Sequence, residues 1–157
     1  MGCEIYPARS AKDIEAAKRL FTAYTESLGI DLTFQNYDAE FAHMPGRYAP
    51  PTGELLLARD SNGMPIACVG LRPLESEGCC EMKRLFVTPA GRGTGVGQAL
   101  VKGVIDIARR LGYREMRLDT LACMTQAISL YKKFGFVPME AYYHNPIEDS
   151  QYMVLLL

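Results

Sequence analysis

The chain has 157 residues, 48% of them hydrophobic and 22% charged, with a formal net charge of −1 at pH 7. That is the composition of one globular domain, residues 1–157, long enough to bury a substantial core. It argues against a nucleic-acid surface, which needs a basic excess, and no apolar run nears the roughly 20 residues of a membrane span. The opening "MGCEIYPARSAKD" is too polar for a signal peptide, and Tyr6 stands where an N-myristoylation signal needs Ser or Thr. Five cysteines with no C-x-x-C pair favour a reducing cytoplasm over a disulfide framework or a zinc site.

In chain order, "CEIYPARSA" reads as a short strand. Ser10 or Asp13 then caps a helix carrying Ile14, Ala17, Leu20, Phe21, Tyr24 and Leu28 at helical spacing, closed by Gly29. "LTFQNYDAEFAHMPGRY" predicts a second helix and a loop broken at Pro45 and Gly46. "GELLLARDSNGMPIACVGLRPL" predicts two strands around a Ser-Asn-Gly hairpin turn. "CCEMKRLFVTP" is a further strand, stopped by Pro89. Residues 95–111 form a helix with Val96, Leu100, Val104, Ile107, Ala108 and Leu111 in one stripe. "YREMRLDTL" is a strand, "MTQAISLYKKFGF" a helix ended by Gly135, and "QYMVLLL" a last strand. The alternation implies an α/β or α+β sheet with helices on its faces. An apolar closing strand exposed at a sheet edge invites pairing, so a homodimer is expected.

The stretch "VTPAGRGTGVGQAL" concentrates glycines where a strand gives way to a helix, a place where backbone N–H groups and the helix dipole favour an anion. A mononucleotide P-loop needs Gly-Lys-Ser/Thr, but Gln98 follows Gly97. The dinucleotide fingerprint G-x-G-x-x-G fails in every register. A flexible loop is the remaining plain reading.

"RGTGVG" also has the form R/Q-x-x-G-x-G/A, preceded by the strand "RLFV" and followed at a distance by "LYKKFGF". On these three motifs in order the chain resembles the GNAT superfamily of acetyl-CoA-dependent N-acetyltransferases, over nearly all its length. "YAPPTGELLLARD", "CEMKRLFV" and "AYYHNP" are similar to small bacterial members. The resemblance implies a mixed, mostly antiparallel central sheet flanked by helices, and transfer of an acetyl group to a primary amine of a small molecule. It places coenzyme A pyrophosphate on Arg92, Gly93, Gly95, Val96, Gly97 and Gln98, with Thr94 adding a hydroxyl. It lays the pantetheine arm along Leu85, Phe86 and Val87, where a bared N–H can bond the thioester oxygen. A GNAT-like module that binds acyl-CoA without turnover is the rival reading.

Two side chains carry the implied chemistry. Tyr131 matches the family tyrosine beside the coenzyme A sulfur, and a phenol of pKa about 10 can protonate a thiolate of pKa about 8.5. By periodicity alone it is equally a packing residue. Glu81 matches a position where several GNAT enzymes keep a general base; strand alternation puts Glu81, Lys83, Leu85 and Val87 on one face unless a bulge intervenes. A surface glutamate at a strand start is the competing account. For the acceptor amine the family analogy points to Tyr37, Phe41, Arg47, Tyr48, Tyr142, Tyr143 and Asn145. Arg47 or Arg72 would clamp a carboxylate, suggesting an amino-acid-like substrate. His43 and His144 have no metal spacing, and no metal is expected. Cys79, Cys80 and Cys123 are set aside as nucleophiles, because direct transfer needs no acyl-enzyme.

Overall fold

The computed structural model describes residues 3–29 and 37–157, without the side chain of Tyr37. Strand β1, Glu4–Pro7, leads into helix α1, Ala11–Leu28. The two capping candidates work together. Ser10 Oγ accepts from the Asp13 N–H at 3.0 Å while the Asp13 carboxylate accepts from the Ser10 N–H at 3.3 Å, a capping box. Gly29 closes the helix at φ 63°, in the left-handed region glycine enters readily. Of the expected second helix, Tyr37–Ala42 is helix α2, and residues 31–36 lie outside the described part. Strands β2, Glu54–Arg59, and β3, Pro65–Pro73, form the expected hairpin, with Gly63 at φ 79° in its turn.

Strand β4, Cys79–Val87, is followed by helix α3, Val96–Arg110, strand β5, Glu115–Leu121, and helix α4, Thr125–Lys133. Strands β6, Val137–Met139, and β7, Ser150–Leu156, complete a seven-stranded sheet of order β1-β2-β3-β4-β5-β7-β6. Every neighbouring pair is antiparallel except β4 with β5. Alternation along β2 splits the core: Leu55 and Leu57 pack with Ala17, Leu20 and Phe21 of α1, while Leu56 and Ala58 pack with Leu100, Val101 and Val104 of α3. Leu111 falls past the end of α3 and is exposed, so the stripe ends at Ala108. No described helix is long and apolar enough to cross a membrane.

Two expectations are corrected. β7 is no edge: it pairs with β5 along its whole length and with β6 on the other side, so the edge argument for a homodimer falls away. β6 escaped the reading because three residues with a central proline carry almost no strand signal. The second correction concerns β4. Between Gly70↔Lys83 and Cys68↔Phe86 the strand uses one residue more than β3, a bulge at Arg84, whose φ is 59°. An extra residue reverses the alternation. Met82, Leu85 and Val87 therefore face the α3 side, Phe86 packs on the α1 side, and Glu81 and Lys83 do not share a face with Leu85 and Val87.

Candidate active site

The junction glycines do different work. Gly91 is packed: a Cβ there would lie 3.0 Å from Val87 Cγ1 and 3.2 Å from the Ile66 carbonyl oxygen. Gly93 and Gly95 have φ of 79° and 83°, and a Cβ on either would meet nothing within 4 Å. The space over both is open. Thr94 Oγ1 donates to the Gly91 carbonyl at 2.5 Å and accepts from the Val96 N–H at 3.4 Å, so this hydroxyl fastens the loop instead of facing a ligand. Val96 is buried, leaving only its backbone for binding, whereas Arg92 and Gln98 are exposed. The first turn of α3 presents N–H groups that no helical carbonyl can reach. Open space before that positive helix end fits the diphosphate of a coenzyme A.

Beyond the junction the sheet opens. Parallel pairing of β4 with β5 runs only through Cys79↔Glu115, Cys80↔Met116 and Glu81↔Arg117. After Glu81 the strands diverge around a cavity of about 210 Å³ lined by Leu85, Phe86, Val87, Arg92, Asp119 and Tyr131, among others. Tyr131 comes from α4 and is 7% exposed, its ring 5.8 Å from that of Phe136. Burial, with smaller contributions from Tyr24 and Asp119, raises its pKa above the usual phenol range, so the hydroxyl keeps its proton. Tyr24, expected only as a core residue of α1, also lines this cavity, its ring 6.0 Å from Phe86.

A second, wider cleft of about 750 Å³ lies against α2 and is lined by Glu40, Arg47, Glu81, Arg117, Tyr142 and Tyr143, with Lys83 lining both spaces. Its floor is a chain of alternating charges. Arg72 donates to Glu81 Oε1 at 2.8 Å and to Glu40 Oε1 at 3.0 Å; Arg84 donates to Glu40 Oε2 at 3.0 Å. Lys83 Nζ lies 2.8 Å from Asp119 Oδ1 and 3.8 Å from Glu81 Oε2. Tyrosines complete the acceptors: Tyr142 donates to Glu81 Oε2 at 2.5 Å, Tyr143 to Asp119 Oδ2 at 2.8 Å, and Tyr48 to Glu40 Oε1 at 2.9 Å. Such pairing is what lets charges stay in a buried place.

Asp119 shows the consequence for stability. Burial pushes its carboxyl upward, but Lys83, the hydrogen bond from Tyr143 and Arg84 outweigh it and hold the pKa below the usual range. A folded-state pKa below the unfolded value of about 3.9 gives stability that is present above that pH and lost as pH falls through the folded value. Asp119→Asn is therefore expected to lose about 3 kcal/mol at pH 7, since Lys83 loses its nearest carboxylate. Thermal unfolding of both proteins should show the gap narrowing below about pH 4. An equal gap at pH 3 and pH 7 would reject the ion-pair account.

The buried cysteines Cys68 and Cys80 are inert by comparison. Burial raises the thiols of Cys68 and Cys80 to about 12, so both stay protonated at neutral pH.

Comparison with known proteins decides the family. The sequence model of the acetyltransferase (GNAT) family matches residues 15–136. An uncharacterized N-acetyltransferase of Schizosaccharomyces pombe is 47% identical over 144 residues, covering 92% of this chain and 88% of the relative. The chain belongs to the GNAT family of acetyltransferases. A GNAT acetyltransferase of Staphylococcus aureus Mu50 has the same fold, with a TM-score of 0.79 at 18% identity over 98% of both chains. A phosphinothricin acetyltransferase of Sinorhizobium meliloti, solved in complex with AcCoA, superposes with a TM-score of 0.74 at 18% identity, covering 100% of this chain and 89% of that one.

In this GNAT protein the structure sorts the sequence candidates. Tyr142, Tyr143, Arg47 and Glu81 meet at the wider cleft, while Tyr131, Arg92, Leu85, Phe86 and Val87 meet at the opening between β4 and β5. Asn145 lines the smaller cavity and donates to the Tyr143 hydroxyl at 3.2 Å. Tyr48 lines neither space; it is 1% exposed, under Gly70 and edge-on to Phe21, because its ring fills the core that Gly70 leaves open. Phe41 sits under Lys18 at 5.5 Å, and the Tyr37 side chain lies outside the described part. Arg72 is no clamp for a ligand, since two carboxylates already hold it. Glu40, Arg84, Asp119 and Arg117 were missed. The usable signal was charge inside strands otherwise apolar, in "MKRLF" and "MRLDTL".

Proposed function

We propose that this chain transfers the acetyl group of acetyl-CoA directly to the primary amine of a small, amino-acid-like molecule. One observation carries the reading: a bared strand edge beside Tyr131 and a charged cleft above Glu81 open on either side of Lys83. Bound acetyl-CoA would supply an electrophilic thioester carbonyl and a thiol leaving group. Gly93, Gly95 and the start of α3 hold its diphosphate, with Arg92 alongside. The Thr88 N–H donates across to Ile66 of β3, so strand alternation leaves the N–H groups of Leu85 and Val87 on the side of β4 that β5 has left, where one of them donates to the oxygen that gathers negative charge; such a donor is typically worth about 3–4 kcal/mol. Tyr131 gives its proton to the departing sulfur as the C–S bond breaks and the C–N bond forms. The amine proton passes to the Tyr142 oxygen while the Tyr142 proton moves to Glu81, along the 2.5 Å hydrogen bond. Arg117 and Arg47, at the cleft wall, receive the carboxylate of the acceptor through guanidinium nitrogens other than Arg117 Nε, which donates to Glu115 at 2.7 Å, and Arg47 Nη2, which donates to the Pro73 carbonyl. Five free thiols fit a reducing, cytoplasmic setting.

If Tyr142 relays to Glu81, then Tyr142→Phe, Glu81→Gln and the double variant should each lower kcat by about 10²-fold, without additivity. A fully active Tyr142→Phe enzyme would remove the relay. For the substrate, amino acids should be acetylated with much lower KM than the amines left by removing their carboxylates, and Arg117→Ala should erase that preference. Preferential turnover of polyamines or peptides would overturn the acceptor assignment and leave the enzyme assignment standing.

A further inference from the structure

The geometry points to the ion pair of Glu40 with Arg84 as a latch through which helix α2, on the acceptor side, sets the β4 bulge and so aims the backbone that follows it. This rests on the proposed role of the backbone of Leu85 and Val87. Arg84 is a non-glycine residue at φ 59° inside a strand, a conformation that persists only when its surroundings impose it. Its side chain is 2% exposed, with Nε 3.0 Å and Nη2 3.5 Å from the two Glu40 carboxylate oxygens, and its carbonyl accepts from Cys68 Sγ at 3.4 Å. The bulge is what turns Leu85 and Val87 to the α3 side and Phe86 to the other.

The other end of the latch is equally specific. None of the α2 side chains 38–42 is buried. The polar anchor of this short helix is Glu40, which accepts from Tyr48, Arg72 and Arg84 at 2.9, 3.0 and 3.0 Å. Glu40 and its neighbours Ala39 and His43 also line the wider cleft. An acceptor seated there rests on the helix that holds the bulge. Glu40 is then a positioning residue: it touches no reacting atom and acts through Arg84.

The test uses the ligand-free protein and the enzyme in parallel. In Glu40→Gln the backbone amide resonances of Leu85, Phe86 and Val87 should move in the absence of any ligand. The kcat should fall by up to about 10²-fold, with acetyl-CoA affinity nearly unchanged, as expected when reacting groups are misplaced by a fraction of an ångström. Arg84→Gly, which allows a positive φ without the side chain, should show the same amide shifts and the same loss, and the double variant no more. Unmoved amides, or an Arg84→Gly enzyme as fast as wild type, would mean that the bulge needs only its backbone angle, and the latch is rejected. Should Glu40→Gln fail to fold, Arg84→Gly decides alone. If wild type acetylates no amine, the functional reading has failed, and the amide shifts still judge the latch.

Discussion

Gly95→Asp is expected to abolish acetyl-CoA binding while leaving the chain folded. The backbone there sits at φ 83°, and a Cβ would project into open space, so nothing in the core is displaced. Aspartate is one of the few side chains that tolerate the left-handed region, and an acid at the start of α3 is favourable to the helix dipole. Both facts predict survival of the fold. The ligand meets the opposite situation. A carboxylate about 4 Å from a diphosphate, near a protein surface, is unfavourable by about 4 kcal/mol, or roughly 10³-fold in Kd. Calorimetric titration with acetyl-CoA, alongside thermal unfolding of the same sample, reads both halves. A folded Gly95→Asp protein with wild-type affinity would show that the diphosphate lies elsewhere.

Tyr131→Phe should lower kcat by about 10²–10⁴-fold and leave acetyl-CoA affinity nearly unchanged. Phenylalanine preserves the contact with Phe136 and removes only the hydroxyl, so the loss falls on an interaction that strengthens as the sulfur departs. Burial has a second consequence. Because the Tyr131 pKa is raised, its proton is retained above the pH at which an exposed tyrosine would lose it, about 10. The wild-type rate should therefore show no alkaline fall from this group up to that pH. A fully active Tyr131→Phe enzyme, with chemistry rate-limiting, would reduce Tyr131 to a packing residue.

The sequence was most informative where local geometry and residue type coincide. The capping pair Ser10 and Asp13, the Ser-Asn-Gly turn and the glycines before α3 all act within a few residues, so their spacing states their structure. Tyr131 was placed by its motif and not by its helical face. The charged floor was not legible, because it is assembled from α2, β3, β4, β5 and the loop before β7, and no local pattern links Glu40 to Arg72, Arg84 and Tyr48. The bulge was hidden for another reason: an arginine at positive φ looks, in sequence, like any strand residue. That one residue decided which face Glu81 shares. Tyr48 was misplaced by composition, since an aromatic ring with a polar tip suits a ligand and a core equally well.

Direct transfer, as proposed, runs from acetyl-CoA at the opened strand to an amine in the charged cleft. Free-thiol release from acetyl-CoA, followed with and without amino-acid amines, and the mass of the protein after exposure to acetyl-CoA alone decide the matter. Thiol release should occur only when amine is present, with acetylated amine in equal amount and a protein of unchanged mass. Tight acetyl-CoA binding with no amine-dependent release, or a stoichiometric acetyl group on the protein itself, would contradict direct transfer.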